Sequence, residues 1–266
     1  MYARKNLVKE KVARGEMVIG MEHWFKDPRI IELLGHAGFD YAHIECEHIG
    51  RDWNNVEESI RAAELCNLTP LYRTEQCYDN QPPVNEITKA LKLGAQIIMV
   101  PQVKNAETAR KIVNAAKFPP AGDRGIATCD RSAKTIFPSP SVPLNTQKYV
   151  KELNDEIMLW AIIESVEGIK NIDEILAVEG IDAVGFGHQD YAVSAGLEAD
   201  SGTIIDECRE KVREAAKRSG KLMWWNTRDP AIVAEQRAKG IQIFLYSCDI
   251  IHVNNVFHNI IKECKG

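Results

Sequence analysis

Eight short runs rich in β-branched and aromatic residues recur along the chain, each followed by apolar residues at helical spacing. This alternation constrains the fold more than any other feature. The runs are 17–24 (MVIGMEHW), 41–47 (YAHIECE), 69–74 (TPLYRT), 96–102 (QIIMVPQ), 157–164 (IMLWAIIE), 181–187 (IDAVGFG), 221–225 (KLMWW) and 241–247 (IQIFLYS). Helical patterns occupy 28–38, 54–67, 85–94, 105–117, 145–156, 171–179 and 203–220, and two more, 229–240 and 249–263, follow the last two strands. Strand–helix alternation repeated in this way calls for a parallel sheet, because parallel neighbours need a helical crossover between them. Eight repeats in 266 residues suit a closed α/β (β/α)8 TIM barrel, one domain over 1–266, and periodicity alone leaves an open doubly wound sheet as the alternative. No glycine-rich dinucleotide fingerprint follows the first strand, which weighs against a nucleotide-binding version. Gly38, Gly94, Gly180, Gly220 and Gly240 each stand where a helix should stop just before a strand.

Composition narrows the function classes. The balance of 33 basic and 38 acidic side chains has no cationic run, so a nucleic-acid groove and a charged membrane-binding face are not expected. No apolar stretch approaches the roughly 20 residues of a membrane span. The charged N-terminus MYARKNLVKEK lacks the apolar core of a signal peptide. Seven cysteines without a C-x-x-C pair read as reduced thiols, and the expected location is cytoplasmic. One segment breaks the rhythm: 118–146 is rich in Pro, Ser and Gly, and, counted as a connection after the fourth strand, it is expected at the mouth of the barrel. The stretch 74–86 after Arg73 is also long and would extend the rim.

In a barrel, chemistry sits at the C-terminal ends of the strands. There the second strand delivers Glu45, Cys46, Glu47 and His48, the third Arg73, the fifth Glu164, and the sixth Gly187, His188, Gln189 and Asp190. Taken singly, each has a bland reading. His48 is a rim histidine bonded to Glu45 or Glu47, Arg73 the partner of an acid, Asp190 the cap of a short helix. Glu164 is harder to dismiss, because a carboxylate closing the apolar run LWAII needs a cationic partner. Two carboxylates without a Cys/His cluster suit a hard divalent cation rather than zinc. Strand alternation also turns Cys46 away from its neighbours.

These residues resemble the HpcH/HpaI family of class II, metal-dependent pyruvate aldolases, which includes 4-hydroxy-2-oxoheptanedioate and 2-dehydro-3-deoxyglucarate aldolases. The resemblance is carried by LGHAGFDYAHIECEH (34–48), Arg73, LKLGAQIIMVPQVKNAETA (91–109), PPAGDRG (119–125), IIESVEGIKNIDEILAVEGIDAVGFGHQD (162–190), SAGL (194–197) and DPAIV (229–233). It implies a phosphoenolpyruvate/pyruvate-type barrel, assembled as a homo-hexamer of paired subunits with the last helix packed on a neighbour. It also implies a lyase that cleaves a 4-hydroxy-2-oxo acid into pyruvate, or a related 2-oxo acid, and an aldehyde through a metal-held enolate. Glu164 and Asp190 would hold Mg²⁺ or Mn²⁺, with Co²⁺ an option. Arg73 would hold the ketone oxygen, and His48, oriented by Glu45, would be the base. Gly187 and the backbone of Gln189 and Asp190 would cradle the carboxylate, with His188 a further substrate contact. The chain departs from the pattern at Glu45, where the family has Asp, at Ile162, where it has Gln, at His188, where it has Pro, and at Lys92, which takes the place of an acid some members lend to a neighbour. These departures keep other readings open: an oxaloacetate decarboxylase or citramalyl-type lyase on the same scaffold, or a barrel that binds 2-oxo acids without catalysis.

Overall fold

A computed structural model describes residues 2–134, 144–198 and 202–266. Eight parallel strands close into a barrel in chain order, β1 (Val18–His23), β2 (Tyr41–Ile44), β3 (Thr69–Arg73), β4 (Ile97–Val100), β5 (Met158–Ile163), β6 (Ala183–Phe186), β7 (Leu222–Thr227) and β8 (Ile243–Cys248). Closure is made by β8 lying against β1, with Val18 opposite Ile243 and Gly20 opposite Leu245, which removes the open-sheet alternative. Every expected strand run overlaps one of these strands, and β7 and β8 continue past the expected ends to Thr227 and Cys248.

The helices are α1 (Leu7–Ala13), α2 (Pro28–Ala37), α3 (Trp53–Leu65), α4 (Val84–Leu93), α5 (Ala106–Ala116), α6 (Thr146–Glu156), α7 (Val166–Lys170), α8 (Ile172–Leu176), α9 (His188–Ser194), α10 (Gly202–Ser219), α11 (Pro230–Ala238) and α12 (Asp249–Lys265). Local chemistry sets their ends. Asp27, Asp52 and Asn105 accept backbone N–H bonds at the starts of α2, α3 and α5. Gly38 (φ 95°) and Gly94 (φ 111°) end α2 and α4 in the left-handed conformation that a Cβ disfavours.

Two apolar layers follow from the strand alternation. Outward-facing Ile44, Ile98, Leu159, Ile163 and Phe244 pack under the helices. Inward-facing Tyr41, Leu71, Ile97, Met99, Trp160, Ile162, Trp224 and Leu245 fill the interior. The tryptophan pair on β7 divides as alternation requires. Trp224 enters the barrel, where its indole occupies the space a side chain at Gly185 would need. Trp225 faces out beneath Arg209 and Arg213 of α10.

Sequence patterning does not register α1, whose two buried residues are separated by charges. Val8 and Val12 are buried in the interior cluster and close the N-terminal end of the barrel as a plug. Burial of such side chains is worth about 1.5–3 kcal/mol each. Asn6 caps this helix and also donates to Glu156 O at 3.0 Å, tying the plug to the start of β5.

The Pro/Ser/Gly segment is a correction. It follows α5, not β4, and so emerges at the plugged end of the barrel, opposite the strand C-termini. Phe118 and Ala133 pack with Ala3, Tyr149 and Leu153, and Lys134 N donates to Tyr2 O at 2.7 Å. Residues 135–143 of the segment lie outside the described residues. No helix among the described residues is long and apolar enough to cross a membrane.

Candidate active site

At the open end the backbone turns sharply after β2, and Glu45 organises the turn. Its side chain is fully buried, and Oε1 accepts the backbone N–H groups of Glu47 (2.8 Å) and His48 (3.0 Å). The other oxygen lies 3.3 Å from His43 Nε2 and 3.3 Å from Arg73 Nη1. Burial alone would raise the Glu45 pKa. The adjacent His43 imidazole, the Arg73 charge and the His48 backbone N–H reverse that and hold it well below the usual carboxylate range. From outside the barrel, Arg51 fastens the same turn by donating to Glu45 O (2.9 Å), His23 O (2.6 Å) and Phe25 O (3.0 Å).

Arg73, at the end of β3, is 11% exposed and pairs with both Glu45 and Glu47. Burial works against its charge, but Glu45, Glu47, Glu164 and Glu22 together raise its pKa. Glu47 also lies 3.5 Å from His48 Nε2. The imidazole therefore faces Glu47, and Glu45 positions it only through the backbone. His48 is the exposed member of the group, and its ring lies 6.1 Å from that of Trp24.

Across the mouth, Glu164 follows β5 and is 2% exposed. Its Oε1 accepts the N–H of Gln102, at 2.7 Å, from a left-handed turn after β4. Burial pushes its pKa up to about 8; Arg73 opposes this, and Asp190 and Glu47 add to it. Gly187 makes the approach between β5 and β6 possible, since a Cβ there would lie 2.7 Å from Glu164 Cβ and press on its carboxylate. Gly187 also caps α9, so His188, Gln189 and Asp190 form the first helical turn, whose N–H groups have no partner within the helix. The helix expected beyond Asp190 thus begins three residues earlier. Asp190 is solvent-exposed and acts electrostatically on Glu164 and Glu47.

The structure thus brings Glu45, His48, Arg73, Glu164, Gly187, His188, Gln189 and Asp190 to one end of the barrel. It adds His43 and Gln102, which the sequence reading left without a role, and places Glu47, one of the two acids offered as partners of His48, beside the imidazole. Ligand atoms of Glu45, Glu47 and His48 lie within 4.8 Å of one another, a spacing that could hold a metal ion, yet the Arg73 guanidinium already pairs with both carboxylates. Glu164 has no such direct partner among the described ion pairs. A buried carboxylate that retains its proton toward neutral pH, beside a second acid, fits a divalent cation that would displace the proton.

A profile of the HpcH/HpaI aldolase/citrate lyase family matches residues 24–252. The chain is 29% identical over 259 residues to the hydroxypyruvate/pyruvate aldolase of Roseovarius nubinhibens, covering 94% of this chain and 93% of that protein. It is 30% identical over 223 residues to the 2-keto-3-deoxy-L-rhamnonate aldolase of Escherichia coli K12, covering 82% and 79% respectively. The crystal structure of an HpcH/HpaI aldolase from Desulfitobacterium hafniense DCB-2 superposes with a TM-score of 0.86 at 31% identity, covering 97% of this chain and 96% of that one.

Proposed function

The chain belongs to the HpcH/HpaI aldolase/citrate lyase family, and within it we propose a divalent-metal-dependent lyase that cleaves a 4-hydroxy-2-oxo acid into pyruvate, or a related 2-oxo acid, and an aldehyde. The observation that carries this reading is Glu164, a buried carboxylate whose proton a cation would replace, facing Asp190 and within electrostatic reach of Arg73. Glu164 and Asp190 would hold Mg²⁺, Mn²⁺ or Co²⁺, which when bound supplies a Lewis acid at the carbonyl beside the substrate carboxylate.

The protein side chains do the rest. The backbone N–H groups of the α9 first turn, at His188, Gln189 and Asp190, meet the carboxylate. Arg73 faces the keto oxygen and opposes the negative charge that grows there as the C3–C4 bond breaks. His48 removes the C4 hydroxyl proton, so the C4–O electrons become the aldehyde carbonyl and the C3–C4 pair moves toward C2. Protonation at C3 completes the 2-oxo acid. Glu47 steadies the protonated imidazole, and Glu45 fixes the turn that carries it. Ile162 lies within the apolar interior and leaves polar work to these groups.

The C-terminal helix supports the oligomer that the resemblance implies. Along α12, Ile250, Val256, Phe257, Ile260 and Ile261 are all more than 40% exposed, an apolar stripe that a subunit in isolation leaves wet. We place it against a neighbouring subunit of a homo-hexamer, a prediction that light scattering of the purified protein checks.

Pyruvate release from 4-hydroxy-2-oxo acids tests the reaction. It should vanish on chelation, return with Mn²⁺ or Mg²⁺, and be lost in Glu164→Ala. Turnover that survives chelation removes the metal reading, and CO₂ from oxaloacetate without aldehyde chemistry reassigns the enzyme to decarboxylation.

A further inference from the structure

One inward-facing carboxylate has no part in the reaction set out above. β1 pairs with β2 with Gly20 opposite Tyr41 and Glu22 opposite His43. Gly20 abuts the Tyr41 ring inside the barrel, and strand alternation turns Glu22 and His43 to the same side. Glu22 is half-buried. Its Oε2 accepts the indole N–H of Trp24 at 2.9 Å, which fixes the side chain and leaves Oε1 for a ligand. The Trp24 ring in turn leans on the His48 ring, tilted by 31°. The negative charge of Glu22 also acts on Arg73.

Glu22 therefore stands on the β1 flank of the mouth, linked through Trp24 to His48 and electrostatically to Arg73. On the lyase reading, those two groups bracket the carbon chain of the substrate: Arg73 at the keto oxygen, His48 at the hydroxyl of the breaking bond. A carboxylate beside that chain interacts differently with each kind of substituent. It accepts a hydrogen bond from a hydroxyl, loses hydration without return against a methyl, and repels a second carboxylate. A tryptophan N–H spent on holding one carboxylate oxygen in place is also an arrangement that sets an acceptor rather than packs a wall.

We propose that Glu22 determines specificity, selecting substrates whose carbon chain bears hydroxyl groups, of the sugar-acid and hydroxyaldehyde kind, over deoxy and terminally carboxylated analogues. The inference rests on the lyase reading and adds the class of molecule that the mouth accepts.

Aldol condensation by the Mn²⁺-loaded enzyme with pyruvate tests it, comparing glycolaldehyde with acetaldehyde and with succinic semialdehyde. The wild type should show kcat/KM about tenfold to a hundredfold higher for glycolaldehyde than for either analogue, the range for a hydrogen bond to a charged acceptor. Glu22→Leu should bring the ratio to near one, lowering the glycolaldehyde value and raising the values of the two analogues. Glu22→Gln, which keeps the shape and an acceptor oxygen, should fall between and carries the test if the leucine variant does not fold. Equal loss on all three aldehydes, or a wild-type ratio near one, overturns the proposal. Exchange of pyruvate methyl protons in D₂O, followed by NMR, separates the two levels. If the wild type exchanges but does not discriminate, the specificity role fails alone. If it does not exchange, the lyase reading fails and takes the proposal with it.

Discussion

Replacing Glu164 by glutamine should remove a loss of stability that the chelated protein suffers as pH rises. Burial holds the folded-state pKa of Glu164 at about 8, against an ordinary carboxylate value of 4.5. Between those values the folded protein keeps a proton that the unfolded chain has released. The stabilising contribution of the protonated group is therefore complete below pH 4.5 and is lost progressively as pH rises to about 8. The loss is worth at most about 5 kcal/mol once titration is complete. In Glu164→Gln the amide oxygen would keep the bond from Gln102 N and the side chain cannot ionise, so the variant does not incur this loss. Urea unfolding followed by circular dichroism, in EDTA at pH 5, 7 and 9, should give midpoints that nearly coincide at pH 5. They should separate in favour of Glu164→Gln at pH 9. Adding Mn²⁺ should then stabilise the wild type, by about 2.7 kcal/mol at a hundredfold excess over Kd, and leave the variant unmoved. A wild-type-minus-variant difference that stays constant from pH 5 to 9 would refute the argument, because it would show that Glu164 ionises freely where it stands.

Three further outcomes follow from the geometry. Gly187→Ala should displace the Glu164 carboxylate and weaken Mn²⁺ binding at least about tenfold by calorimetry, with far-ultraviolet circular dichroism unchanged. Arg73→Met leaves Glu45 and Glu47 buried without their cation and should cost about 3–5 kcal/mol in urea unfolding, whereas Arg73→Lys should recover part of that stability without the turnover. His43→Leu removes one of the contacts that keep Glu45 ionised, so the acidic limb of the kcat/KM pH profile should move to higher pH, with a smaller displacement in His43→Asn.

The strands are legible because their chemistry is redundant. Both faces of β4 and β5 are buried, so runs such as IIMV and MLWAII carry their assignment in composition alone. The plug α1 is not legible, because it contributes only Val8 and Val12 to the core and its remaining surface is charged. The pattern puts the 118–134 segment at the wrong end because its position depends on counting α5 as a crossover already completed. At the mouth, Glu45, His48, Arg73, Glu164 and Asp190 can be found from strand ends and from the family pattern. Which acid faces the imidazole cannot, since Glu45 and Glu47 alternate with Cys46 and share one side of the chain. Glu22 and His43 escape notice for the opposite reason: each sits within a strand and interrupts an otherwise apolar pattern. A polar residue at an inward position two places from a residue such as Gly20 or Tyr41 is the signal that marks them.

The helix that stoppers the barrel floor has a consequence for how the chain is made. Val8 N donates to Thr69 Oγ1, Asn6 holds the segment just before β5, and Gln242 Nε2 donates to Val12 O. These anchors lie far apart along the chain, so α1 waits for β8 before its seat is complete. Until then the lower interior stays open to solvent, and nascent chains arrested before residue 242 should remain sensitive to proteases around α1, a sensitivity that ends when β8 is released.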